Sequence, residues 1–183
     1  MSVATLLVQS TQEDVMPVRR PTLTGHGPGT SPSAVLAPDL GQKPGRAVRN
    51  TDGEIASNTV EFKPSRWEGG GTIYLRFHAC LQELDETASG VDAVYFEEVR
   101  SHRGVVAAHA YGGFLAHLTA WAEANKIPYA GVPVGMIKRH VTGRGNADND
   151  VVAAVRALDF DPADDQADAI ALLHWALKTG GPR

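Results

Sequence analysis

The sequence predicts an α/β fold: a mixed five-stranded sheet, three antiparallel strands followed by parallel ones, flanked by helices. Three observations lead there. With 183 residues and 43% hydrophobic content, the chain is long enough for one full core. Apolar runs near residues 34, 91 and 127 have strand length, and the first two end in an acid. Around them, apolar residues recur at the helical period.

Taken in order, Ala34-Val35-Leu36-Ala37 stops at Pro38 and Asp39, which suits a buried central strand delivering an acid at its tip. Arg46-Ala47-Val48-Arg49 reaches Asn50-Thr51-Asp52-Gly53, whose Asp-Gly pair marks a turn, and residues 54–62 continue as the third strand of a meander. Tyr74, Phe77, Cys80, Leu81 and Leu84 line one face of an amphipathic helix. Val91, Ala93, Tyr95 and Phe96 form a fourth strand running into Glu97 and Glu98. Residues 105–125 form an Ala-rich helix in which Gly112-Gly113 permits close backbone approach at a cost in helix stability. Residues 127–132 make the fifth strand. Residues 147–158 and 165–178 make two closing helices, the last stopped by Gly180-Gly181-Pro182.

Residues 1–33 mix Pro and Gly with Ser and Thr and carry few large apolar residues after Val18. Such a segment cannot offset its ordering entropy, so it is expected to be a disordered or loosely attached tail, leaving 34–183 as the folded domain. No apolar run approaches the roughly 20 residues a membrane span needs. The opening Met1 to Val8 lacks a basic leader, so no secretory signal is expected and the cytoplasm is the expected compartment. Cys80, the single cysteine, has no disulfide partner and falls in an apolar helical pattern, which makes it a small core residue. The helical histidines His78, His109, His117 and His174 are read as packed or surface residues rather than ligands, and Trp67, Trp121 and Trp175 as core or helix-face packing rather than base-stacking platforms.

The net charge of −4 is distributed unevenly. Between Arg100 and Gly145 six basic residues, Arg100, Arg103, Lys126, Lys138, Arg139 and Arg144, face one acid, Glu123. From Asp148 onward seven acids face three bases. A local basic stretch is what a nucleic-acid surface requires, whatever the total charge. Lys138-Arg139-His140 followed by Thr142-Gly143-Arg144-Gly145-Asn146 sets cations beside adaptable backbone, as phosphate contacts need; alone, it reads equally as a surface helix end.

Asp39 and Glu97 at the tips of core strands would be costly as unpaired charges. Asp165 and Asp168, three apart on the last helix, share a face and can point at those tips. Carboxylates that converge repel and raise one another's pKa values unless a cation lies between them, and hard oxygen ligands select Mg²⁺ or Mn²⁺ over zinc. Taken singly, each acid reads first as a turn residue, a cap or part of a solvated acidic face.

Ala37-Pro38-Asp39-Leu40-Gly41, Val94-Tyr95-Phe96-Glu97-Glu98-Val99, the stretch from Lys138 to Asp148, and Asp165-Gln166-Ala167-Asp168-Ala169 resemble, in order and spacing, the RuvC family of Holliday junction resolvases. This is a branch of the RNase H-like nucleases, and the resemblance covers about residues 34–178. Arg100-Ser101-His102-Arg103-Gly104 looks most like phage-encoded members. The resemblance implies an RNase H-like sheet and a site in which Asp39, Glu97, Asp165 and Asp168 hold two Mg²⁺ ions, with Mn²⁺ able to substitute. It implies hydrolysis of junction or other branched DNA to 5′-phosphate ends by a symmetric homodimer. Lys138 matches a phosphate-contacting position, and Arg139, Arg144, Arg100 and Arg103 extend the DNA surface. The helix near 105–122 is the candidate for subunit packing. Asn149 stands where the family usually has a lysine, and Asp164 beside Asp165 is a competing third ligand. Two other readings follow: an RNase H-like nuclease for flaps, forks or RNA·DNA hybrids, and a junction-binding protein whose catalysis is weakened.

Overall fold

The computed structural model describes residues 32–41, 45–100, 104–145, 150–158, 160–162 and 164–180, the side chains of Asp164 and Asp165 excepted. Nearly all of the expected tail, together with Arg103 and Asn149, lies outside the described residues.

Five strands form one sheet: β1 (Val35–Pro38), β2 (Gly45–Arg49), β3 (Ile55–Thr59), β4 (Ala93–Glu98) and β5 (Tyr129–Pro133), in the order β3-β2-β1-β4-β5. β1, β2 and β3 are antiparallel, and β4 and β5 join β1 in parallel. This is the mixed sheet the sequence predicts. β1 is buried along its whole length, so it reads as a continuous apolar run rather than an alternating one. Asp92 fixes its start, the carboxylate accepting the Ser33 and Ala34 N–H groups at 2.8 and 3.0 Å.

Helices cover both faces. α1 (Thr72–Thr87) and α2 (Val105–Ala124) pack on one, where Leu36, Val94 and Phe96 meet Phe77, Leu81, Phe114 and Leu118. α3 (Val134–Thr142), α4 (Val151–Arg156) and α5 (Asp164–Thr179) pack on the other, where Val35, Ala37 and Tyr95 meet Ile137, Val155, Ile170 and Leu173. Among the described residues no helix is long and apolar enough to cross a membrane.

Three expectations need adjustment, and one alternative is decided. Trp121 and Trp175 are core residues, but Trp67 is 88% exposed and packs in neither cluster. The third strand ends at Thr59 rather than 62, because Phe62 turns into the core against Phe77 and Phe114. Of the two readings of the basic Lys138-Arg139-His140 segment, it takes the surface helix end; α3 ends at Gly143, whose φ of 77° is the left-handed cap that glycine adopts cheaply. Gly113 does allow a close approach, but the visitor is the Tyr74 ring of α1 in the same chain, with which a Cβ at 113 would collide. Cys80 is buried as expected; burial pushes its thiol pKa up, and the Arg46 guanidinium donates to its Sγ.

Candidate active site

The site is organised by the parallel pairing of β1 with β4. Val35 lies opposite Ala93 and Leu36 opposite Val94, and continuing that register brings Asp39 beside Glu97. Asp39 stays in line past the end of its strand because its N–H donates to the Gly45 carbonyl at 2.8 Å, extending the ladder with β2. The Gly41 N–H in turn donates to Asp39 Oδ1 at 3.1 Å, orienting the carboxylate in a tight Asx turn.

Strand alternation decides which way the acids face. Val35 and Ala37 on β1, and Ala93 and Tyr95 on β4, belong to the cluster beneath α5. Continued at the same period of two, Asp39 and Glu97 would follow on the face that α5 covers, although Asp39, one residue past β1, also lines a small cavity with Phe62, Phe77 and Leu81 of the other cluster. Both are half-buried.

Glu97 is further held by a side chain from α2. The Tyr111 hydroxyl donates to the Glu97 carbonyl at 3.0 Å and accepts from the Val99 N–H at 3.3 Å, tying the end of β4 to α2. Burial is the largest influence pushing the Tyr111 pKa up; the Val99 N–H opposes it, and the charges of Glu97, Glu98 and Asp39 reinforce it. The hydroxyl therefore lies within electrostatic reach of both acids. Nothing in the sequence marks Tyr111 for this role, because no local signal links a helix residue to a strand tip.

The first turns of α5 lie toward the same end of the sheet. Ser57 Oγ on β3 donates to Gln166 Oε1 at 3.2 Å, and Ser57, Ala47 and Ala37 form one row across the sheet, two residues before Asp39. Asp168, one residue past the buried Ala167, is exposed. Asp165 lies in the first turn of α5, its side chain outside the described set. Of the four expected ligands, Asp39 and Glu97 thus lie at the ends of adjacent parallel strands, and Asp165 and Asp168 lie on the helix packed against that sheet. Among the described residues, no three His, Cys, Asp or Glu side chains form a metal-holding group. The donor set still fits a hard divalent cation in its chemistry, being all carboxylate.

Cations flank this end. Glu98 pairs with Pro133, the residue that starts α3, so α3 springs from the edge beside the acids and carries Lys138 and Arg139. Lys138 is half-buried, whereas Arg139 and Arg144 are exposed. Arg144 bonds Asp150 at 2.6 Å, and Arg100 lies 3.8 Å from Glu98. On the far side of α3, His140 Nε2 and His174 Nδ1 are 3.0 Å apart, joining α3 to α5.

No family model matches the chain, and no curated protein matches it in sequence. Solved structures do. The chain is similar to T. thermophilus RuvC in complex with a Holliday junction substrate, with a TM-score of 0.64 and 21% identity over 80% of this chain and 96% of that one. It is similar to Thermus thermophilus RuvC in a second structure, with a TM-score of 0.62 and 23% identity over the same shares. The yeast mitochondrial Holliday junction resolvase Ydc2 aligns with a TM-score of 0.52 and 12% identity, over 80% of this chain and 79% of that one. At these identities the likeness is one of architecture: the chain has the RNase H-like fold of the RuvC resolvases.

Proposed function

We propose that residues 34–183 form a divalent-metal-dependent DNA endonuclease that resolves Holliday junctions and other branched DNA. The observation that carries this reading is the juxtaposition of Asp39 and Glu97 at adjacent strand ends, beneath the helix bearing Asp165 and Asp168, in a fold shared with junction resolvases. Asp39, Glu97, Asp165 and Asp168 would hold Mg²⁺, two ions per site, which when bound supply Lewis-acid polarisation of the scissile phosphate and its attacking water. The chain contributes position and charge. Asp39 and Glu97 are set by strand register and by the Gly41 and Tyr111 hydrogen bonds, so little reorganisation remains when substrate arrives. Lys138, Arg139 and Arg144, together with Arg100 and Arg103, would neutralise the phosphates flanking the cut, and breaking the P–O3′ bond by water would leave a 5′-phosphate and a 3′-hydroxyl.

Two nicks across a four-way junction need two sites, so the active form is a homodimer in this reading. The outward face of α2, with Val105 and Val106 69% and 73% exposed beside Gly112 and Ala116, is the surface for it. Ala116 and Gly112 are small enough to let a second helix approach closely.

The test is cleavage of a labelled synthetic four-way junction in Mg²⁺, with EDTA and Asp39→Asn as controls. Paired symmetric nicks that both controls abolish support the reading. Because losing even a partner of a metal ligand costs about 10–100-fold, Asp39→Asn is expected to lose at least that. Junction bound but never cut, by a folded protein in Mg²⁺ or Mn²⁺, would replace it with the binding-protein reading. Preferred cutting of flaps, forks or hybrids would redirect it to another nuclease of the same fold.

A further inference from the structure

The segment between β3 and α1 holds a large aromatic that the fold does not use. Trp67 is 88% exposed, although burying so large an apolar side chain would stabilise the fold. The chain leaves β3 at Thr59, opposite Gly45, whose carbonyl receives the Asp39 N–H; the loop therefore departs from the carboxylate end of the sheet. Val60 and Phe62 line a small cavity together with Asp39.

The loop is held firmly. Arg76 of α1 donates through Nη1 to the Lys63 carbonyl at 2.6 Å and through Nη2 to both Glu68 carboxylate oxygens at 2.8 and 2.9 Å. Glu68 Oε2 also accepts the Ser65 N–H at 2.6 Å, and the Glu68 N–H donates to the Ser65 carbonyl at 3.1 Å. These bonds fasten the backbone on both sides of Trp67 while its ring stays in water. The Arg66 guanidinium carbon sits 5.3 Å from the ring centroid. A Cβ added at Gly69, Gly70 or Gly71 would meet nothing within 4 Å, so the surface at the three glycines that follow is open.

We propose that Trp67 is a stacking platform for an unpaired or splayed base at the branch point of the DNA substrate, with Arg66 and Lys63 meeting the phosphates on either side. This rests on the nuclease reading and adds to it a residue that recognises branching. A preorganised aromatic among cations is the arrangement by which proteins hold single-stranded bases irrespective of sequence. With Glu68 engaged by Arg76, Lys63 and Arg66 stand against Glu61 alone, which leaves the loop one positive charge in excess. An apolar protein partner would have to desolvate both cations, whereas a polyanion pairs with them.

The experiment uses the full chain, with tryptophan emission and DNA-binding anisotropy measured in Ca²⁺ on a four-way junction and on an unbranched duplex of equal length. Trp121 and Trp175 are buried, so the solvent-exposed component of the emission reports Trp67. Junction, and not duplex, is expected to quench it. Trp67→Ala is expected to weaken junction binding about tenfold, the scale of one lost base stack, with duplex binding and thermal midpoint unchanged. Trp67→Phe, which keeps an aromatic face, is expected to recover most of the loss. Equal junction binding by wild type and Trp67→Ala overturns the platform and leaves the nuclease standing. A change in oligomeric state without a change in DNA binding overturns it in favour of a protein contact. A folded wild type that binds and cuts no DNA overturns the nuclease reading and the platform together.

Discussion

Tyr111 shows how one hydroxyl can matter to a site it does not chemically serve. Its oxygen satisfies the Glu97 carbonyl and the Val99 N–H together, at the end of β4. Removing a partner from half-buried backbone groups costs roughly 1–3 kcal/mol, and in a chain of this size each kcal/mol moves the melting midpoint by about 2–4 °C. Tyr111→Phe is therefore expected to melt a few degrees lower. It is also expected to lower kcat more than it raises KM, because the residue it loosens is Glu97 rather than the phosphate-binding cations. Single-turnover cleavage beside thermal denaturation checks both; unchanged kcat with the midpoint lowered would restrict the residue to stability. Trp67 carries the opposite lesson. It was read as packed because tryptophans usually are, yet it stands in a Pro-, Gly- and charge-rich stretch between Pro64 and Gly71 with no element for it to pack into, and that context was the available signal.

Between elements, the α1–α2 contact depends on one missing methyl group. Tyr74 lies where a Gly113 side chain would be, and its ring meets Phe114 edge-on at 5.3 Å and stacks on His117 at 5.1 Å. Alanine improves helix propensity by about 1 kcal/mol, but displacing the ring gives up these contacts and overpacks the interface at about 1–3 kcal/mol. Gly113→Ala is expected to destabilise, and urea denaturation of Gly113→Ala, Tyr74→Ala and the double variant should show the double costing less than the sum of the singles. A second junction, between α3 and α5, responds to pH. Desolvation, then the charge of Lys178, holds the His140 pKa below 6.5; for His174 desolvation leads, followed by His140 and Lys178. With folded values depressed, the unfolded chain binds protons first as pH falls. Stability is therefore fully present above about 6.5 and is lost progressively below it. Thermal midpoints should drop between about pH 7.5 and about pH 5.5, and His174→Gln should flatten that slope. α3 itself was not legible as a helix: it is nine residues long and buries one of them, Ile137. Only its terminators showed, Gly143 and the preceding Arg139 and His140.

At the scale of the whole molecule, the strands were legible where burial makes them so, and the site was legible only as a set of candidates. β1 and β4 are apolar runs ending in acids, which composition reveals. That they are neighbours in parallel, with Asp39 brought beside Glu97, is a long-range pairing that no local pattern encodes. The pairing has an energetic consequence for folding. Two half-buried acids at one end of the sheet, with Asp165 and Asp168 on the covering helix, place like charges together, and a cation that binds only the folded state relieves this. Such binding stabilises by about 2.7 kcal/mol when the free ion is at a hundred times its dissociation constant. At about 2–4 °C per kcal/mol, millimolar Mg²⁺ is expected to raise the melting midpoint by several degrees in differential scanning calorimetry, without any DNA present. Asp39→Asn removes one charge from the cluster, so it should melt higher than wild type in EDTA and respond less to Mg²⁺. If wild type and variant gain equally, the ion is binding elsewhere, and the four acids are a solvated face rather than a metal centre.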